Sequence, residues 1–78
     1  MTHDALSALT ALTAANIRQA RKDRGLTQKD LSDATGIPQP HISRYENGGP
    51  SPTLRRLEAL ADALLTTPSL LLTPQGQQ

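Results

Sequence analysis

The sequence predicts an all-α fold of five short helices. Leu, Ile and Ala supply most of the apolar residues, since the chain has one Tyr, one Met and no Phe or Trp. Leu and Ala are strong helix formers. The apolar residues recur at spacings of three and four, which is typical of a helix with one buried face. Most of the six Pro and five Gly residues lie at or near the ends of these segments.

The first helix is predicted to run from about Asp4 to Arg24 and to end at Gly25, with basic residues in its last turn. An apolar stripe with helical spacing supports it: Leu6, Leu9, Thr13, Ile17 and Ala20. A break near Thr10 or Thr13 is an open alternative. We expect residues 1–13 to form a helical N-terminal extension that is continuous with this helix.

The second helix is predicted to begin at Thr27, with Asp30 in the position that completes a capping box, and to end at Gly36 in the left-handed conformation. The third is predicted from about Gln39 to Asn47. The expected inward side chains are Leu31 and Ala34 on the second helix, Ile42 and Tyr45 on the third, and Ile37 between them. A short Gly-containing turn joins the pair, which indicates a helix-turn-helix.

The fourth helix is predicted to be capped by Ser51, with Pro52 at its first position. Its expected buried stripe consists of Leu54, Leu57, Leu60, Ala61 and Leu64. Thr67-Pro68 repeats the cap-then-proline pattern and opens a fifth helix over Ser69–Leu72. We therefore expect one domain over residues 14–72 and a flexible polar tail over residues 73–78.

Composition excludes several classes of protein. The chain has no Cys, which rules out disulfides, thiol catalysis and cysteine-based zinc sites. No segment has the roughly 20 apolar residues of a membrane span, and the N-terminus lacks the basic start of a secretory signal, so we expect a cytoplasmic location. The seven acidic residues and two His form no recognisable catalytic set, so we expect neither an enzyme nor a cofactor.

Basic residues are clustered although the net charge is only +1. The cluster consists of Arg18, Arg21, Lys22, Arg24 and Lys29, with a second pair at Arg55 and Arg56. Such a run is most often a solvated helix face, so by itself it favours a nucleic-acid partner only slightly.

The segments GLTQKDL (25–31), ATGI (34–37), ISRYENG (42–48) and SPTL (51–54) together resemble the XRE-type family of helix-turn-helix proteins, the Cro and phage-repressor-like proteins. The resemblance covers about residues 14–72. It implies a five-helix, lambda-repressor-like DNA-binding domain of a bacterial transcription regulator. It further implies that the third helix enters the major groove of double-stranded DNA, and that a homodimer binds a palindromic operator. A groove about 12 Å wide admits one α-helix.

The resemblance assigns base contacts to Gln39, Pro40 and Arg44. Gln39 can pair with adenine, Arg44 can pair with two acceptors of guanine, and the Pro40 ring suits a thymine methyl group. A phosphate contact is the alternative for Arg44. Pro38 stands where the family often has a capping Ser or Thr, so Pro38 and Pro40 remove two amide donors from this helix start.

The resemblance assigns contacts with the DNA backbone to Gln28, His41, Ser43, Asn47 and Gly48. Gln28 opens the second helix, where its side chain and the helix N-terminus can hold a phosphate. The alternative for Gln28 is an ordinary surface residue at a helix start, and for His41 an ordinary exposed histidine. For the other three the alternatives are helix capping and turn formation.

Two further assignments concern structure and assembly. Arg21 and Glu46 match a pair that joins the first and third helices in the family, although Arg21 can alternatively belong to the basic patch. The expected dimer interface contains Leu65, Leu70, Leu71 and Leu72. Three consecutive leucines spread over about 200° of a helix, which is more than one small core can readily bury. The alternative is that Leu6, Leu9 and Leu12 cover them within a monomer.

A second class of function stays open at this point. Some proteins of this type are antitoxins, whose main partner is a protein. A phage or plasmid repressor, an antitoxin and a restriction–modification controller all fit a chain made of little more than this domain. A toxin or a polymerase is therefore an alternative partner beside DNA.

Overall fold

Over the residues that the structure describes, five α-helices make up the fold, as the sequence predicts. The computed structural model describes the backbone of residues 2–74 and the side chains of residues 8–74, and no strand occurs in that part. The helices are α1 (Thr2–Asp23), α2 (Gln28–Thr35), α3 (Gln39–Glu46), α4 (Leu54–Ala63) and α5 (Pro68–Leu71). None of them is both long enough and apolar enough to cross a membrane over the described range.

Helix α1 is continuous over 22 residues, so the alternative of a break near Thr10 or Thr13 is wrong. Thr13 is tolerated inside the helix because its hydroxyl donates to the Leu9 carbonyl at 2.8 Å. The helix ends before Gly25, whose φ of 70° lies in the left-handed region. The predicted covering role of Leu6 falls outside the described side chains.

The N-terminus of α2 confirms the predicted capping box. The Asp30 amide donates to the Thr27 hydroxyl at 3.0 Å, and the Thr27 amide donates to the Asp30 carboxylate at 2.9 Å. Gly36 ends the helix with a φ of 77°, as predicted. The turn into α3 is tied back to α2, because the Ser32 hydroxyl donates to the Ile37 carbonyl at 2.5 Å. This bond helps to fix α3 relative to α2.

Helix α4 begins later than the sequence predicts. Its cap is Thr53, whose hydroxyl accepts from the Arg56 amide at 3.2 Å, and Pro52 lies before the helix. The predicted Ser51 cap is wrong, because the Ser51 hydroxyl lies 3.2 Å from the Thr10 hydroxyl of α1. Ser51 and Pro52 therefore belong to the connection that precedes α4.

Burial of two apolar residues was predicted wrongly. Leu54 is 80% exposed, because it stands at the first position of α4, one turn before the buried stripe begins at Leu57. Ala34 on α2 is also exposed. Every other residue of the predicted α4 stripe is buried: Leu57, Leu60, Ala61 and Leu64.

One core joins all five helices. Ile17 of α1, Leu31 of α2, Ile42 of α3 and Leu60 of α4 are fully buried, and Leu71 of α5 is 2% exposed. Each helix thus contributes a large apolar side chain to the same cluster. Burying a side chain of this size stabilises the fold by about 1.5–3 kcal/mol.

Helix α5 confirms the predicted cap, since the Thr67 hydroxyl accepts from the Leu70 amide at 3.1 Å and Pro68 follows at the first position. The burial of Leu71 in this helix corrects the predicted dimer interface. Leu71 packs into the core of its own chain, so its side chain is not available to a second copy. Leu70 and Leu72 remain 49% and 38% exposed, because residues on either side of an inward residue point about 100° away from it.

A buried polar residue, Asn16 of α1, fixes the end of the described chain. Its side-chain amide donates to the carbonyls of Leu71 and Thr73, both at 2.8 Å. Thr73 therefore belongs to the folded unit, although the sequence predicts a flexible tail from residue 73. Pro74 is exposed, and the last four residues of that predicted tail, 75–78, lie outside the described residues.

Leu65 occupies a position that usually suits glycine. It follows α4 with a φ of 57°, and the Thr66 amide donates to the Ala61 carbonyl at 2.9 Å in the bond that closes a Schellman motif. The left-handed conformation costs a residue with a side chain roughly 1–2 kcal/mol. This strained leucine is nevertheless 78% exposed.

Candidate DNA-binding surface

Helix α3 has one buried face and one open face. Ile42 is fully buried and Glu46 is 6% exposed, whereas Gln39, Pro40 and Arg44 are all exposed. Neither Gln39 nor Arg44 makes a side-chain hydrogen bond to any described residue. The predicted base-contacting residues thus lie together on the solvent side of α3, with their polar groups available.

The start of α3 offers few free amides. Pro38 provides no side-chain cap, and Pro40 has no N–H. The His41 amide donates to the Pro38 carbonyl at 2.9 Å, and the Ile42 amide lies 3.3 Å from the same oxygen. Of the first three residues, Gln39 alone keeps an uncommitted amide in the described part. Anion binding at this helix N-terminus is correspondingly limited, since it depends on several free N–H groups.

Glu46 joins α1, α2 and α3. Arg21 donates to it through Nε at 2.7 Å and through Nη2 at 3.0 Å, which makes a bidentate pair. Gln28 of α2 donates to the same carboxylate at 3.1 Å, and Arg21 also donates to the Leu26 carbonyl at 2.7 Å. The side chains of Arg21 and Glu46 are only 12% and 2% exposed. The hydrogen bond with Glu46 raises the pKa of Arg21.

This junction alters the interpretation of two predicted residues. Arg21 faces Glu46 rather than solvent, so it belongs to the structural pair and not to an open basic patch. Gln28 is half-buried and uses one amide proton on Glu46. An amide group carries two donor protons, so the second can still reach a phosphate.

The other predicted backbone contacts surround the end of α3. Asn47 donates to the Ser43 hydroxyl at 3.4 Å, and Asn47 and Gly48 are exposed. Gly48 has a φ of 80°, so the left-handed turn after α3 uses a residue without a side chain. His41 is half-buried and contacts Arg56 of α4.

Several clustered basic residues are engaged within the protein. Arg24 donates to the Ala63 carbonyl at the end of α4 at 3.1 Å. Lys29 pairs with Asp33 at 3.1 Å in an exposed ion pair. Together with the pairing of Arg21, these contacts leave Arg18 and Lys22 as the exposed, unpaired cations of the cluster within the described residues.

Arg18 is a candidate site residue that the sequence alone does not identify. This exposed side chain of α1 lines a shallow cleft together with Asn47 and Gly48 at the end of α3. Its positive charge therefore lies beside two predicted backbone contacts. The sequence shows a basic residue in α1 but does not show which face of α1 borders α3.

Metal-ion chemistry has no obvious site in the described residues. No group of three or more His, Asp or Glu side chains there lies close enough to hold an ion. The polar groups on the open face of α3 are amide, guanidinium and hydroxyl groups, which suit hydrogen bonding to bases and phosphates.

The fold and this surface define a helix-turn-helix DNA-binding domain. A model of the helix-turn-helix family matches residues 17–71, and the chain belongs to this family, within its XRE type. It is thus a transcription regulator by class.

Known proteins resemble the chain over most of its length. It is 35% identical over 66 residues to an uncharacterized HTH-type transcriptional regulator, y4dJ, from Sinorhizobium fredii, covering 85% of this chain and 86% of that protein. The hypothetical transcription factor NHTF from Neisseria superposes with a TM-score of 0.81 at 30% identity, over 86% of this chain and 77% of that one. The restriction–modification controller protein C.AhdI from Aeromonas hydrophila superposes with a TM-score of 0.78 at 26% identity, over 82% and 97%.

Proposed function

We propose that this protein binds a palindromic operator as a homodimer, with α3 in the major groove, and regulates transcription from that site. The observation that carries the proposal is the open polar face of α3 on a helix that is held rigidly from behind. Glu46 anchors its last turn through Arg21, with side chains only 2% and 12% exposed. A reading helix must be fixed in this way, because base recognition requires hydrogen bonds of defined geometry.

Base reading falls to Gln39, Pro40 and Arg44 in this proposal. Arg44 is exposed and makes no side-chain hydrogen bond to a described residue, so its guanidinium fork is free to pair with O6 and N7 of guanine. Gln39 takes an adenine, and Pro40 lies against a thymine methyl group. Backbone contacts come from Gln28, His41, Ser43, Asn47 and Gly48, and Arg18 joins this set.

The homodimer uses the exposed leucines at the C-terminal end, namely Leu65, Leu70 and Leu72. One α3 touches only a few base pairs, so two copies spaced one DNA turn apart are needed for a long operator. The strained and exposed Leu65 supports this assignment. Strain that persists at an apolar surface residue is commonly associated with a function.

Selection of bound sequences from random DNA tests the proposal. We expect an inverted repeat whose half-sites lie roughly 34–36 Å apart, one helical turn of DNA. Affinity for the selected site should fall steeply between about 50 and 200 mM salt, because binding to phosphates releases counterions. A protein that enriches no motif, or that binds equally at both salt concentrations, would contradict the proposal.

The same site tests the role of Arg44 through two substitutions. Arg44→Ala should relax the preference at one position of each half-site, worth about 1–3 kcal/mol against the wrong base. Arg44→Lys is the matched control, since lysine keeps the charge but lacks the planar fork that pairs with two acceptors. If Arg44 contacts only phosphate, Lys should restore affinity and no position should lose its preference. If it reads guanine, Arg44→Ala should lose that preference, while Arg44→Lys should keep part of it because an ammonium also donates to O6 and N7.

A further inference from the structure

We propose that Arg56 is a positioning residue that fixes the tautomer of the His41 ring, so that Nε2–H of His41 donates a hydrogen bond to an acceptor on the DNA. This inference rests on the proposed function, because it assigns a role within the same protein–DNA interface. Arg56 lies on α4 and His41 on α3, so the contact joins the recognition helix to the helix behind it.

The geometry begins with the cap of α4. The Thr53 hydroxyl accepts from the Arg56 amide at 3.2 Å, which fixes the backbone from which the guanidinium extends. Nη1 of Arg56 lies 2.7 Å from Nδ1 of His41 and 2.8 Å from the hydroxyl of Tyr45. His41 and Tyr45 are one turn apart on α3, so the two protons of one nitrogen serve two side chains of the same helix face.

The chemistry of the pair determines the tautomer. A guanidinium can only donate, and it stays protonated at every relevant pH. Nδ1 of His41 must therefore accept, which places the ring proton of the neutral histidine on Nε2. The arginine thus converts a ring with two alternative donors into a ring with one defined donor.

Nε2 is open to binding. It makes no hydrogen bond to any described residue. Every buried side-chain nitrogen or oxygen in that part of the chain has a hydrogen-bond partner, so Nε2, which has none, is not buried. His41 stands one residue after Pro40 on the helix that is proposed to enter the groove. Both a phosphate oxygen and the N7 or O6 atom of guanine accept hydrogen bonds, and Nε2–H suits either.

Arg56 and its neighbour Arg55 differ in exposure and in side-chain contacts. Arg55 is exposed and makes no side-chain hydrogen bond or ion pair with any described residue, whereas Arg56 is half-buried and held on two acceptors. Arg55→Met is therefore a matched control for Arg56→Met. Each variant removes one positive charge from the same helix, and only the second removes the contact with His41.

A double-mutant cycle on the selected operator tests the proposal. We expect Arg56→Met to weaken operator binding roughly tenfold, the size of one net hydrogen bond, and more than Arg55→Met does. In a His41→Ala background, Arg56→Met should cost no more than Arg55→Met, because the contact through which it acts is gone. An equal loss in both backgrounds would mean that Arg56 touches DNA itself, acts by charge or acts through Tyr45, and would overturn the proposal.

Ring nitrogen NMR provides a measurement that does not depend on DNA. At about pH 8, where a free histidine is neutral, wild-type His41 should show an unprotonated Nδ1 and a protonated Nε2. Arg56→Met should move both signals towards tautomer averaging, while Arg55→Met should leave them unchanged. A wild-type ring that carries its proton on Nδ1, or signals that Arg56→Met does not move, would refute the assignment.

The outcomes separate this inference from the proposed function. If no operator is selected, the proposed function fails while the NMR test of the ring still stands. If an operator is selected and His41→Ala binds it as tightly as the wild type, this inference alone fails. Single-base variants distinguish the acceptor: His41→Ala should lose preference at one position if it contacts guanine, and should weaken all variants equally if it contacts phosphate.

Discussion

The junction of α1, α2 and α3 satisfies its own polar groups, whereas the surface around α5 leaves apolar groups uncovered. At the junction, Glu46 accepts from Arg21 and Gln28 while only 2% of its side chain is exposed. Around α5, Leu65 is 78% exposed and Leu70 is 49% exposed. The first region is complete within one chain. The second has the composition of a surface that a second copy would cover.

The difference predicts where single substitutions act. A change at the junction should destabilise the isolated chain, because a buried charge loses its partner. A change at Leu65 or Leu70 should leave the isolated chain folded and alter the proposed assembly instead. Leu71 lies between exposed leucines but is 2% exposed. A change at Leu71, like a change at the junction, should therefore destabilise the isolated chain.

The largest effect is expected at Glu46. Glu46→Ala leaves the guanidinium of Arg21 largely buried and without its carboxylate, which typically costs about 3–5 kcal/mol. A domain of this size has a free energy of unfolding on the order of 4–12 kcal/mol, so the variant should be close to unfolding. Urea titration followed by circular dichroism measures the change.

The control for Glu46 is the exposed pair of Lys29 and Asp33, with side chains 74% and 66% exposed. Asp33→Ala removes an acid from an ion pair of the same type and should change the free energy of unfolding by no more than about 1 kcal/mol. Equal losses for Glu46→Ala and Asp33→Ala would show that the junction contributes nothing beyond a surface ion pair.

The next largest effect is expected at Leu71, and it should distinguish Leu71 from its neighbour Leu70. Leu71→Ala should lower the free energy of unfolding by roughly 2–5 kcal/mol, because it removes a core side chain. Leu70→Glu should leave the stability of the monomer nearly unchanged and should split the proposed dimer. Sedimentation at micromolar concentration, with and without operator DNA, reports the assembly.

Leu54 provides the matched control for that experiment. It is 80% exposed and lines a cleft with Leu72 but not with Leu70, so Leu54→Glu should affect sedimentation and operator affinity much less than Leu70→Glu does. A wild-type protein that stays monomeric both free and on DNA would refute the proposed dimer. A dimer that Leu54→Glu splits and Leu70→Glu does not would place the interface on the other side of α5.

The smallest expected effect is a loss of stability at low pH that arises from the cap of α2. Hydrogen bonds from the backbone and hydroxyl of Thr27 lower the pKa of Asp30. A lowered pKa in the folded state means that this contribution is present above the pKa of an unfolded Asp, about 3.9, and is lost as pH falls through the folded value. Wild type should therefore lose more stability on acidification than Asp30→Asn does.

Asp33→Asn is the control for the acid experiment, because Asp33 lies on the same helix but caps nothing. Urea titrations at a series of pH values compare each variant with the wild type, which removes the contribution of the other carboxyl groups. If Asp30→Asn and wild type lose stability in parallel, the capping box does not respond to pH. If Asp33→Asn also flattens the response, the effect belongs to surface charge in general.

Local sequence determined the ends of most helices. Thr27 with Asp30, Gly36, and Thr67 with Pro68 were predicted correctly, because a cap is decided by groups within about four residues of one another. The helical periodicity of the apolar residues also identified the buried stripe of α4 from Leu57 onward. The relation of Arg21 to Glu46 came from resemblance to a family rather than from spacing.

Tertiary structure decided the cap of α4 and the partners of two arginines, which local sequence rules cannot predict. Ser51 and Thr53 are both good caps, but Thr53 caps α4 and the Ser51 hydroxyl lies beside Thr10 on α1. Arg24 and Arg56 appear in the sequence as members of basic clusters, yet their partners lie 39 and 15 residues away. Such partners depend on how the helices pack, and packing is set by distant groups.

The three leucines of α5 show the same division most clearly. The sequence established that one small core can hardly bury all of Leu70, Leu71 and Leu72, because consecutive residues on a helix point about 100° apart. It did not establish which one is buried. Asn16 of α1 binds the carbonyls of Leu71 and Thr73, from 55 and 57 residues away, and this contact helps to set the rotation of α5. Only the folded chain brings those atoms together.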